Sequence, residues 1–264
     1  MSVFTDQMGR TIELRSTPKR IISLVPSQTE LLFDLGLEEE VVGITKFCIR
    51  PETWFRSKAR IGGTKTVSLE KIKALNPDLI IANKEENVQE QVEALAKEFP
   101  VWISDINTLP EAISMIEKVA AVVGKKAEGE ALCVKIQTAF YTFQPSNAKP
   151  RAAYLIWKNP YMSVGNDTFI HDMLDRAGFE NILSHKTRYP EILIEELASL
   201  NCEVLLLSSE PYPFKQADID ELQVQLPNTR IELVDGELFS WYGSRLLQAP
   251  AYFQGLLEKF NTIT

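Results

Sequence analysis

The chain has 264 residues, 45% apolar and 24% charged, which suits one large domain or two modest lobes and excludes disordered, collagenous and coiled-coil chains. Thirty-six acids against 28 bases leave a net charge of −8. With no local basic patch, that balance excludes nucleic acid as an expected partner.

No stretch approaches the roughly 18 to 20 apolar residues of a membrane-spanning helix. The opening MSVFTDQMGRTIELRSTPKR is charged throughout and lacks the apolar run, about 7 to 15 residues long, of a secretory signal. Two compartments stay open: cytoplasmic if this terminus is native, and outside the cytoplasm if a signal was removed. Cys48, Cys133 and Cys202 form no CxxC pair and are odd in number, so no disulfide framework is expected.

In chain order, the β-branched run Ile21 to Val25 predicts a strand. It is followed by Pro26-Ser27-Gln28-Thr29-Glu30 and a helix stopped by Gly36, with Ser27 and Glu30 spaced as a capping box. Position just past a strand end also makes Ser27 and Glu30 ligand candidates. Next come strand Val41 to Thr45, helix Leu69 to Leu75, strand Leu79 to Ala82, helix Val88 to Lys97, strand Val101 to Ser104 and helix Pro110 to Val123. Such alternation predicts a parallel sheet covered by helices.

Lys125 to Gln144 holds Leu132, Ile136, Ala139, Phe140 and Phe143 at helical spacing, a helix of about 30 Å. The stretch PSNAKPR, residues 145 to 151, marks a boundary. Strand Ala152 to Trp157, helices Phe169 to Ala177 and Ile194 to Leu200, strand Val204 to Ser208, helix Ile219 to Leu226, strand Ile231 to Val234 and helix Ala249 to Phe260 complete a second half. The expected division is an N-terminal lobe 1–124, a linking helix 125–145 and a C-terminal lobe 146–264. Leu69 to Ile81 aligns without gaps with Ile194 to Leu206, which pairs Glu70 with Glu195 and indicates two related lobes.

Catalytic signatures are missing: there is no GxSxG, GxxxxGK[ST], GxGxxG or HExxH, and His171 and His185 are too few for a three-histidine metal site. His171 is expected to be structural and Cys48 a buried inert thiol, while the loop residue His185 stays open. Aromatic and cationic residues accumulate past the strand ends: Lys46 and Phe47, Asn83 and Lys84, Trp157, Lys158 and Tyr161, Arg188 and Tyr189, then Phe239, Trp241, Tyr242 and Arg245. In an open parallel sheet these ends gather at one crevice, where flat apolar faces and a few cations suit a large ligand with polar edges.

FTDQMGRTIEL, PKRIISLVPSQTELLFDLGLEEEVVGIT and SLEKIKALNPDLIIA, followed by YLIWKNPYMSVGNDTFIHDMLDRAGFENIL and RYPEILIEELASLNCEVLLLSS, resemble the substrate-binding proteins of iron-siderophore and cobalamin ABC importers. The resemblance spans nearly the whole chain and is strongest to the cobalamin binders. It implies two Rossmann-like α/β lobes joined by one long helix, a monomer, and no cofactor. The ligand it implies is cobalamin or another corrinoid, haem or a ferric siderophore, held between the lobes. It also implies that Glu70 and Glu195 dock on arginines of a permease. Phe47, Trp157 and Tyr189 stand at aromatic positions of the cobalamin binders, whereas Thr64 and Asn83 replace aromatics and FSWYGSR differs. The expected site is therefore Phe47, Trp157, Tyr189, Phe239, Trp241 and Tyr242 as walls, with Lys46, Arg188 and Arg245 at polar edges. A cytosolic carrier or sensor of the same ligands, without an importer, is the alternative, and an enzyme is not expected.

Overall fold

The computed structural model describes residues 1–145 and 148–261, so Ser146 and Asn147 of the expected boundary segment lie outside the described residues. The chain forms two compact units. Met1–Ile106, Pro110–Gln137 and Tyr242–Arg245 make the first; Asn107–Leu109, Thr138–Trp241 and the chain from Leu246 onward make the second. Tyr242–Arg245, expected in the C-terminal lobe, thus clusters with the first unit.

In the first unit, β1 (Ser2–Thr5) and β2 (Thr11–Leu14) form an antiparallel hairpin. Then follow β3 (Ile21–Ser23), α1 (Pro26–Asp34), β4 (Val41–Ile44), α2 (Glu52–Ser57), β5 (Ala59–Arg60), α3 (Leu69–Leu75), β6 (Leu79–Asn83), α4 (Gln89–Ala96), β7 (Val101–Ser104), α5 (Leu109–Val122) and α6 (Lys126–Thr142). The parallel sheet runs β5-β4-β3-β6-β7, a doubly wound order that reverses between β3 and β6. Its central strands are near-continuous apolar runs, as helices on both faces require: Ile21, Ile22, Leu79, Ile80 and Ile81 are fully buried. The unit boundary passes through α6, whose 17 residues end before Pro145. Gly129 lets α6 approach α5, since a Cβ there would stand 2.3 Å from Ala120 Cβ.

The second unit holds β8 (Arg151–Leu155), α7 (Phe169–Arg176), β9 (Glu180–Asn181), α8 (Ile194–Ser199), β10 (Val204–Ser208), α9 (Gln216–Gln225), β11 (Arg230–Val234), α10 (Glu237–Ser240) and α11 (Ala249–Asn261). The strands lie in the order β11-β10-β8-β9, all parallel, with the reversal between β8 and β10.

The internal repeat carries a shared clamp. In the first unit Asp78 accepts from Lys19 N and Arg20 N at 2.8 Å each, and Arg20 donates back to Leu75 O. In the second, Glu203 accepts from Arg151 N at 2.6 Å and Arg151 donates to Leu200 O at 2.9 Å. Between helix and strand, Asn76 (φ 42°) and Asn201 (φ 52°) take the left-handed turn that asparagine tolerates.

The capping box is corrected. Pro26 opens α1 with its fixed φ, Val25 precedes it without a side-chain cap, and Ser27 lies inside the helix. Ser27 Oγ is buried without a hydrogen-bond partner, and Glu30 turns to Arg245 instead. The helix expected from Ile219 starts at Gln216, because Asp218 reaches back to accept from Lys215 N at 2.8 Å. Among the described residues no helix is long and apolar enough to cross a membrane.

Candidate functional site

Doubly wound sheets bind ligands where the strand order reverses, outside the carboxyl ends. In the first unit that point is flanked by the loops after β3 and β6, with the loop after β4 next to the former. They are stitched together: Asn83 N donates to Asn87 Oδ1 at 2.9 Å, and Asn87 Nδ2 to Thr64 O at 3.1 Å. Asn83 Nδ2 and Gln28 Nε2 both donate to Ser104 Oγ. Cys48 is buried and accepts from Thr29 Oγ1 at 3.1 Å; burial pushes its thiol up, opposed by the hydrogen bonds from Thr29 and Thr45, so it packs as a neutral group.

On this fixed base stands Phe47, 51% exposed, with Lys46 Nζ 5.0 Å from its ring centroid and Ile49 exposed beside it. Gly63 makes room for both: a Cβ there would meet Phe47 Cε2 at 3.2 Å and Lys46 Cε at 3.3 Å. Lys84, another cation past a strand end, pairs with Asp105 at 2.6 Å.

Arg245 is engaged within the same unit. Its Nε donates to Glu30 Oε2 at 2.8 Å and its Nη2 to Oε1, a two-pronged pair whose side chains are 8% and 13% exposed. Burial raises the Glu30 pKa and the Arg245 hydrogen bond and charge oppose that rise. Tyr242, three residues earlier, is nearly buried.

In the second unit the reversal is flanked by the loops after β8 and β10. Trp157 is 40% exposed and meets Tyr212 edge to face, centroids 5.9 Å apart, and Tyr212 in turn packs on Phe214. Lys158 is held by Asp218 and Glu221 at 2.7 Å each, and these hydrogen bonds raise its pKa. Arg188, half-exposed with φ 56°, lies 5.5 Å over the Tyr189 ring and 3.9 Å from Asp167. His171 contacts Asn181 as a structural histidine would, and His185 is exposed.

Phe239 is a correction. It is fully buried among Tyr154, Tyr252 and Phe253, so its ring belongs to the core and has no face to offer a ligand. Trp241 is 7% exposed and donates from Nε1 to Glu210 Oε1 at 2.9 Å, while Ser240 Oγ donates to the same oxygen at 2.6 Å. Burial raises the Glu210 pKa against these two donors. Sequence reasoning missed Glu210 and Tyr212; their only signal was SSEPYP directly after a strand. Among the described residues no cluster of three or more His, Cys, Asp or Glu side chains could hold a metal ion.

The family described as periplasmic binding protein matches residues 21–227. The chain belongs to that family. A vitamin B12-binding protein of Vibrio campbellii is 26% identical over 195 residues, 72% of this chain and 70% of the relative. An ABC transporter substrate-binding lipoprotein of Bacillus subtilis is 24% identical over 213 residues, 76% of this chain and 67% of the relative. Among solved structures, the apo periplasmic haem-binding protein RhuT of Roseiflexus sp. RS-1 has a TM-score of 0.77 at 22% identity, covering 90% of this chain and 98% of that one, and shows the same fold.

Members of this periplasmic binding protein family bind small molecules and work with ABC permeases. Glu70 and Glu195 occupy the first turns of α3 and α8, both exposed, with no ion pair among the described residues.

Proposed function

We propose that this chain is the solute-binding component of an ABC importer and carries a metal-bearing macrocycle or chelate: cobalamin or another corrinoid, haem or a ferric siderophore. What supports this reading is the set of aromatic faces past the strand ends of each unit: exposed Phe47 with Lys46 over its ring in the first, and exposed Trp157 and half-buried Tyr189, the latter under Arg188, in the second. The protein acts as a monomer, by capture and release, with no bond made or broken and no resident cofactor. Glu70 and Glu195 meet cationic side chains of the permease, and nucleic acid is not a partner.

The test is a titration with cobalamin, haemin and several ferric siderophores, followed by calorimetry and quenching of the four tryptophans. One ligand class should saturate at micromolar or tighter concentrations. Phe47→Ala and Trp157→Ala should each weaken it about tenfold, the scale of one aromatic contact, at unchanged thermal stability. Unchanged affinity in both variants refutes the site. Glu70→Ala with Glu195→Ala should spare ligand binding and abolish capture of the permease; an intact complex refutes the docking role.

A further inference from the structure

The β1–β2 hairpin turn is fixed against the edge strand β7. The Asp6 carboxylate, 2% exposed, accepts from Met8 N at 2.9 Å, Arg10 N at 2.8 Å and Ile103 N at 3.3 Å. Gln7 N donates to Ile103 O at 3.1 Å, and Asp105 N to Gln7 Oε1 at 3.2 Å. Held this way, Met8 and Arg10 border a cavity of about 220 Å³ together with Gln89, Val92, Glu93, Ile103 and the loop after β6, whose Asn83, Lys84 and Asn87 also belong to the base of the candidate site. Val92 and Ile103 are buried apolar surface and Met8 is a flexible thioether, so one side of the cavity is apolar.

The polar groups differ in what they already hold. Lys84 is paired with Asp105. The half-buried Arg10 guanidinium makes no hydrogen bond or ion pair among the described residues; only its backbone is engaged, with Asp6. A guanidinium fork beside an apolar wall, on a turn already ordered, matches a carboxylate joined to a small apolar body. Glu93 in the same lining repels a second acidic group. The volume equals about seven water shares and falls below the roughly 300 to 1,000 Å³ of sites for drug-sized ligands, so no macrocycle enters. In the strand order, β7 is three places from β4, whose following loop carries Lys46 and Phe47.

We propose that this cavity, on the β7 side of the loop after β6, takes a small aliphatic monocarboxylate apart from the ligand at Phe47, its carboxylate on Arg10 and its chain on Met8, Val92 and Ile103. The experiment is a titration of the full ¹⁵N-labelled chain with hexanoate, hexanol and hexylamine. Hexanoate should shift the Met8, Arg10, Val92 and Ile103 amides saturably, about tenfold more tightly than hexanol, and hexylamine should not bind. Arg10→Gln should remove the hexanoate advantage and leave hexanol unchanged, and Val92→Phe should fill the cavity and abolish both, each at unchanged fold by circular dichroism. Equal binding of hexanoate and hexanol, an unaltered Arg10→Gln titration, or displacement of hexanoate by a chelate that quenches tryptophan would overturn the proposal.

Discussion

Arg245→Met should destabilise the first unit in a strongly pH-dependent way. The Glu30 carboxylate that faces Arg245 is 13% exposed on its side chain and already titrates above its ordinary 4.5, with burial the largest cause and Arg245 the main opposing one. Removing one partner of such a buried pair costs about 3–5 kcal/mol, against about 0–1 for a surface pair. Without the guanidinium the Glu30 pKa rises further, so the folded state keeps a proton that the unfolded chain releases above 4.5. Stability then falls as pH rises through that window, and the penalty is smallest below the unfolded value and largest at pH 8. Urea denaturation in a Trp157→Phe, Trp241→Phe background leaves Trp54 and Trp102, both fully buried in the first unit, as reporters. The loss should reach the full 3–5 kcal/mol at pH 8, shrink steadily as pH falls toward 4.5, and be largely recovered by adding Glu30→Gln. A loss that is independent of pH, or below about 1 kcal/mol, would refute the reasoning.

Glu210→Ala should cost about 1–3 kcal/mol, because Trp241 Nε1 and Ser240 Oγ lose their shared acceptor. Glu210→Gln keeps that acceptor; since the raised Glu210 pKa makes the fold lose stability as pH climbs past 4.5, the amide should be at least as stable at pH 8 and show less gain on acidification in urea melts. Gly129→Ala should lower the melting point despite alanine's better helix propensity, since overpacking against Ala120 costs about 1–3 kcal/mol. Asn76→Gly should be nearly neutral in thermal melts and Asn76→Val destabilising by about 1–2 kcal/mol, because the turn residue sits at φ 42°.

The long elements were legible because burial on both sheet faces writes itself as unbroken β-branched runs. Helix Leu69–Leu75 and strands Val101–Ser104 and Val204–Ser208 fall where their patterns end. What stayed hidden has no such run: β5 and β9 are two residues each and draw their register from neighbours, and α2 is a six-residue helix after Pro51. The site was legible by position, since strand-end residues are named by any α/β pattern, but not by partner. Nothing at Arg245 in the sequence signals Glu30, 215 residues away, and nothing at Phe239 separates a core ring from an exposed one. Those distinctions are tertiary and depend on which side chain fills a given space.

Sorting the strand-end residues by partner changes what they can recognise. Lys84, Lys158 and Arg245 are neutralised by Asp105, by Asp218 with Glu221, and by Glu30, each within one unit. Lys46 lies over the exposed Phe47 ring, and Arg188, 3.9 Å from Asp167, lies over the half-buried Tyr189 ring. The chain's net charge of −8 does not decide their field, because at physiological salt exposed charges act over about 8 Å, less than the span of either unit. A polyanion long enough to sample the whole surface meets mostly repulsion, whereas a compact ligand at one strand-end loop meets a flat apolar face and one positive edge. The composition that disfavours nucleic acid is therefore compatible with selection of a small ligand carrying a few negative or hydrogen-bonding groups on an apolar frame.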